Sequence, residues 1–144
     1  MEQSIELYLS NFKNKQGIYL IKPLNIEVLK DICSVLDYRY SSNIAYIGKA
    51  NLTKTSDLRK RARQEMGWSN FEGATFVRKI GLYLGFDVKD KKNKILREKT
   101  KEFICSNFSI ECKVFETDNL QEIETDYIQK MKPCLNVRKV IKSV

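Results

Sequence analysis

Glu124 is the residue that is hardest to read as structure alone. Over 119–131, Leu120, Ile123, Tyr127, Ile128 and Met131 share one face at helical spacing, and Glu124 lies in the middle of it. Glu122 and Asp126 fall on the opposite side, where charge belongs. An unpaired buried carboxylate costs several kcal/mol. Glu124 therefore needs a core cation, a neighbouring helix end to cap, or a task at a cleft. The tasks open to it are holding a hard divalent cation or moving a proton. Tyr19 and Tyr46 make a second point of interest. Each sits in a short run otherwise built from Gly, Ala, Ile and Leu, with Gly17 before the first and Gly48 after the second. A buried phenol needs a hydrogen-bond partner, and a glycine beside it marks close backbone approach. Taken singly, each tyrosine reads first as core. The chain has no histidine. That excludes a histidine base, a Ser-His-Asp triad and a zinc finger of paired cysteines and histidines.

Composition narrows the partners. The 144 residues carry 26 Lys and Arg against 18 Asp and Glu, a net charge of +8. Such a surface draws polyanions, with nucleic acid first and an anionic membrane surface second. No apolar run approaches the ~20 residues a membrane helix needs. The first residues lack the basic and apolar regions of a signal peptide, so a cytoplasmic location is expected. Cys33, Cys105, Cys112 and Cys134 form no C-x-x-C pair. They are expected as reduced, mostly buried thiols rather than as a metal site.

The elements that must position these residues follow from periodicity. Gly17–Ile21 and Ile44–Gly48 read as strands covered on both faces. Ile26–Leu36 has helical spacing with Asn25 as its N-cap. A helix begins near Asp57, with Leu58, Ala62 and Met66 as its stripe and Gly67 as its end. Phe76 to Leu84 and Lys94 to Asn107 are helical, Ser109–Thr117 alternates as a strand, and the helix over 119–131 closes at Pro133. The order β, α, β, α, α, α, β, α predicts one α+β domain over 1–144, with a basic tail at its C-terminus.

With the elements in place, a pattern stands out. Gly17-Ile18-Tyr19 followed by Tyr46-Ile47-Gly48 resembles the namesake motifs of the GIY-YIG nuclease family. Tyr46-Ile47-Gly48-Lys49-Ala50 is similar to the extended second motif. Leu58-Arg59-Lys60-Arg61 is similar to the helix that supplies the family's arginine. Glu124, followed by Pro133 to Asn136, is similar to its closing motif. The resemblance frames 17–136. It implies a three-stranded antiparallel sheet flanked by helices, and hydrolysis of DNA phosphodiester bonds with one divalent metal, Mg²⁺ or Mn²⁺, per active site. It places Glu124 as the metal ligand and Tyr19 and Tyr46 as the paired tyrosines. Arg61 would steady the phosphate, Lys49 would add charge as in the excision-repair branch, and Asn136 would support the site. Metal and arginine offset the charge of an already anionic diester. A tyrosine becomes a useful base only when a nearby cation, here Lys49 or the metal, lowers its pKa.

The chain departs from the family pattern in three places. The tyrosine motifs are widely spaced, with a helical insertion near 24–42. About five extra residues precede the arginine helix, which leaves Arg59 and Arg63 as rivals to Arg61; Arg63 is expected in solvent. Glu65 stands where the family often has histidine or tyrosine. It is open to pairing with Arg61, to acting as a base and to binding metal, and a surface i,i+4 role is the preferred reading. Arg78, Lys79, Lys91, Lys92, Lys94, Arg97, Arg138, Lys139 and Lys142 read as solvated surface or as a phosphate-contacting rim. Trp68 reads as a partly buried anchor. One site cuts one strand, so paired cutting or specificity calls for a homodimer or a partner chain. RNA stands beside DNA as a substrate, since nothing in the sequence settles whether a 2′-OH is read. The alternative function is a non-catalytic nucleic-acid-binding module that keeps the fold.

Overall fold

A computed structural model describes residues 1–69, 71, 73–87, 89 and 93–136. The chain opens with α1 (Glu2–Leu9) and a 3-10 turn (Ser10–Phe12). Then come β1 (Gly17–Pro23), α2 (Ile26–Leu36), β2 (Tyr46–Ala50), α3 (Leu58–Glu65), α4 (Thr75–Tyr83), α5 (Lys94–Asn107), β3 (Phe108–Val114) and α6 (Leu120–Met131). The strands form one antiparallel sheet in the order β2-β1-β3, so the α+β expectation holds.

β1 is the middle strand, and its first five residues are buried. Alternation along it divides the core in two. Tyr19 and Ile21 face a large cluster fed by α1 through α5, including Leu9, Leu29, Leu58, Phe76 and Ile104. Ile18 and Leu20 face a small cluster with Ile47 and Leu120, which α6 covers with Ile44 and Phe115 at its margin. Gly17 is required by close approach, because a Cβ there would overlap the Lys113 carbonyl on β3.

Helix starts follow the capping residues. Asn25 accepts from the Glu27 amide at 2.9 Å, Asp57 from Lys60 at 2.7 Å and Asn93 from Leu96 at 3.1 Å. Gly67 and Gly85 take positive φ just beyond α3 and α4, as the helix stops require. Two boundaries differ from expectation. α1 was not anticipated from the sequence, although Ile5, Tyr8 and Phe12 have helical spacing and pack on the core. β2 begins two residues later than the apolar run, although Ala45 still donates its amide to the Ile21 carbonyl on β1 at 2.8 Å.

β2 is an edge strand, and its outer side is closed by the segment after α6. Cys134 donates its amide to the Ile44 carbonyl at 3.0 Å, and Leu135 to Ala45 at 2.9 Å. The Ser41 and Ser42 hydroxyls donate to the Lys132 carbonyl at 2.7 and 2.9 Å, pinning the end of α6. The four cysteines are free and buried. Among the described residues no helix is long and apolar enough to cross a membrane. Lys91, Lys92, Arg138, Lys139 and Lys142 lie outside the described residues.

Candidate active site

A cleft of about 340 Å³ runs across the edge strand β2. It is lined by Tyr19, Tyr46, Gly48, Lys49, Ala50, Asn51, Ser56, Arg61 and Glu124. The two faces of the sheet meet there. Tyr19 lies opposite Gly48 in the β1–β2 register and shares its face. A Cβ on Gly48 would overlap the Tyr19 ring and hydroxyl, so only glycine leaves that ring its place on the cleft floor. The Tyr19 and Tyr46 rings sit 6.4 Å apart. On the other face, Lys49 and α6 bring the second half of the site, with Glu124 half-buried on the inner side of its helix.

Burial sets the electrostatics. The Tyr19 phenol is held well above its ordinary range, first by burial and then by the Glu65 carboxylate, with Arg61 opposing. Tyr46 is pushed up to about 12 by burial and by Glu65; Glu124 adds to this, while a hydrogen bond with Thr75 and the Arg61 charge oppose it. Both tyrosines are therefore protonated near neutrality. The Lys49 charge is not among the largest influences on either phenol. The Lys49 charge bears instead on Glu124, whose carboxyl burial raises and Lys49 pulls back down. Among the described residues no hydrogen bond or ion pair holds the Glu124 carboxylate. The helix face is as periodicity predicted, with the charge turned toward the cleft.

Of the three competing arginines, Arg61 is the one that lines the cleft. Its guanidinium donates to Gln64 Oε1 at 2.9 Å and to the Gly73 carbonyl at 3.4 Å, which leaves donor positions of its fork toward the cavity. Arg63 is not in solvent as expected. It pairs with Glu6 at 2.8 Å and lies over the Trp68 ring, tying α3 to α1. Trp68 is packed against the core, with Lys101 also over its ring. Lys79 belongs to neither surface nor rim. It is half-buried, donates to the Leu135 carbonyl at 2.5 Å and lies over Tyr38. Asn136 is outside the cleft. Its side-chain amide accepts from the Ile47 amide at 2.8 Å and donates to the Ile47 carbonyl at 2.7 Å, so it extends the sheet by one side chain.

Glu65 is the residue sequence reasoning misjudged. The surface reading is wrong: Glu65 is 1% exposed and its two oxygens are both engaged. Oε2 accepts the Tyr19 hydroxyl at 2.9 Å, and Oε1 accepts the Phe76 amide at 3.0 Å and the Val77 amide at 3.4 Å. Ala74 has no side chain to cap α4, so Glu65 caps it from a different helix. Burial raises its pKa, and the Tyr19 bond, the two amides and Arg61 pull it back. The signal was present in the sequence. At 100° per residue Glu65 falls about 20° from Leu58, at the margin of the Leu58–Ala62–Met66 stripe.

No curated protein and no solved structure matches the chain. The sequence profile described as the GIY-YIG catalytic domain matches residues 7–143, nearly all of it. That span takes in both tyrosine strands, the arginine helix and the closing helix that together frame the cleft. The chain belongs to the GIY-YIG catalytic domain family, a family of nucleases.

Proposed function

We propose that this protein is a divalent-metal-dependent endonuclease that hydrolyses DNA phosphodiester bonds, one strand per active site. One observation carries the reading: Glu124, whose carboxylate has no hydrogen-bond or ion-pair partner among the described residues, shares a cleft with Arg61, Lys49 and two protonated tyrosines. A binding surface for an anion has no use for an inward carboxylate. A metal site does. Among the described residues no three acidic, cysteine or histidine groups cluster. Glu124 would be a protein ligand of the metal, with water and phosphate oxygens completing the shell, as suits Mg²⁺ or Mn²⁺. When bound, the ion offsets charge on the phosphoryl group and on the departing oxygen.

The chain's own residues supply the rest. Arg61 binds non-bridging oxygens through its planar fork, and Lys49 adds a point charge beside Glu124. The phenol oxygens of Tyr19 and Tyr46 orient the attacking water by accepting from it. Asn136 works at one remove, by fixing β2 and with it Tyr46, Gly48 and Lys49. Phosphoryl transfer leans on positioning and electrostatics, so the lack of histidine is no obstacle. The residues match this chemistry for DNA; RNA is the neighbouring substrate, and a homodimer or partner would supply paired cutting.

The test is supercoiled plasmid with Mg²⁺ or Mn²⁺, beside Glu124→Ala and a chelator control. Metal-dependent nicking that disappears in the variant is the expected result. No cutting of plasmid, branched DNA or RNA, with salt-sensitive binding kept by both proteins, would overturn it in favour of a binding module.

A further inference from the structure

We infer that Glu65 is a positioning residue of this site, acting through Tyr19: it takes the hydrogen of the phenol and so turns the oxygen's lone pairs to the cleft. The inference rests on the nuclease reading, because it concerns how Tyr19 receives water.

The geometry separates this task from plain helix capping. The two α4 amides are satisfied by one oxygen, Oε1. A serine or aspartate at the Ala74 position could do the same from within the loop. Instead the chain buries a carboxylate almost completely and aims its other oxygen at Tyr19. A carboxylate only accepts. With acceptors on both sides, the phenol at one and the amides at the other have no choice of direction. The Tyr19 hydrogen must lie toward Glu65, and what faces the cleft is an acceptor. Tyr19 cannot escape by rotating its ring away, because it is packed over Gly48 and 1% exposed.

A glutamine of the same shape reverses that polarity. Its carbonyl is claimed by the two α4 amides, which leaves its NH₂ group against the phenol. The NH₂ donates, so the Tyr19 hydrogen turns into the cleft and opposes the water it is meant to receive. The effect requires the Tyr19 hydroxyl and vanishes without it.

The experiment uses the full-length protein as wild type, Glu65→Gln, Tyr19→Phe and the double variant, with melting curves run on each. Expected is a fall in kcat of roughly 10²-fold for Glu65→Gln with KM unchanged. In the Tyr19→Phe background the same substitution causes no further fall, since coupled residues are non-additive. A second readout needs no variant at position 65. In wild type labelled at the tyrosine ζ-carbon, the resonance lost in Tyr19→Phe lies downfield of the exposed tyrosines, as for a phenol donating to a carboxylate. Losses that simply add, a Glu65→Gln protein that cuts like wild type, or an upfield Tyr19 resonance would each overturn the inference while the nuclease reading stands. Wild type that cuts no nucleic acid with any metal would sink the nuclease reading, and this inference with it.

Discussion

The two faces of the sheet contribute one carboxylate each, and the two are handled in opposite ways. On the thick face, under five helices, Glu65 is sealed and every oxygen has a partner. On the thin face, under α6, Glu124 is half-open and held by no partner among the described residues. Burial raises the pKa of both. The thick face offsets that cost with three hydrogen bonds and the Arg61 charge, the thin face, among the described residues, with the nearby charge of Lys49. A site needs one side that does not move and one side that can exchange ligands. Placing them on opposite faces of a three-stranded sheet lets the edge strand β2 join them, with Gly48 as the point where the tyrosine floor shows through.

The largest effect separates the two carboxylates outright. Glu124→Ala is expected to cut at least roughly 10³-fold more slowly with Mg²⁺, and to melt no lower than wild type, since it loses a carboxylate that bonds to none of the described residues. Cleavage rates and melting curves on the same preparations check this. A variant that still cuts, or that melts far lower, would erase the distinction between the open and the sealed face.

Next comes the junction. Gly48→Ala drives a methyl into the Tyr19 ring, against a floor that cannot yield. Overpacking of this kind costs about 1–3 kcal/mol, and displacement of the tyrosine is expected to lower cleavage by roughly 10²-fold. Urea unfolding and plasmid nicking read the two parts. If stability falls and cutting does not, Tyr19 is floor and nothing more.

How much of this was legible in the sequence follows the same division. Glu124 was found because its stripe is long, and a charge within five apolar neighbours stands out. Glu65 sits on a helix of eight residues with only three apolar positions in its stripe, so the same periodicity was too faint to override the i,i+4 reading beside Arg61. The sheet and most helices were readable because their apolar runs are bounded by Asn25, Asp57, Gly67, Gly85 and Pro133. α1 was missed because no side chain caps it and, beyond the adjoining 3-10 turn, its contacts are with α3, α5 and β3, far along the chain. Arg63 and Lys79 were misplaced for the same reason. Their partners, Glu6 and Leu135, lie 57 and 56 residues away, and local spacing carries no trace of them. Pairs closed by tertiary contact are where sequence reasoning ended.

Asn136 tests whether the thin face needs its edge closed. Asn136→Ala removes two hydrogen bonds from Ile47 and leaves both backbone groups on an open edge. A loss of about 1–3 kcal/mol is expected, read by urea unfolding, with hydrogen exchange rising at the Ile47 amide before that of β1. Exchange that rises equally in both strands would mean that the edge and the middle of the sheet open together, and that α6 with its following segment is not a separable wall.

The smallest effect has the most to say about why Glu124 is there. Its carboxyl is raised in the folded protein, so the native state binds the proton more tightly than the unfolded chain does. Such a group costs nothing in acid. The cost appears as pH rises from the unfolded carboxylate range through the folded pKa, and is fully present at neutrality. Glu124→Gln lacks the titration. It is expected to match wild type in acid below the unfolded carboxylate range and to melt slightly higher at neutral pH, the gap opening in that window and then staying constant. Melting curves across the window, with chelator present, measure it. A variant that melts lower at neutral pH would mean that a cation of the chain holds Glu124 as firmly as Tyr19 and two amides hold Glu65. The higher melting point, joined to the loss of cutting, would mark Glu124 as a residue kept against stability for what it binds.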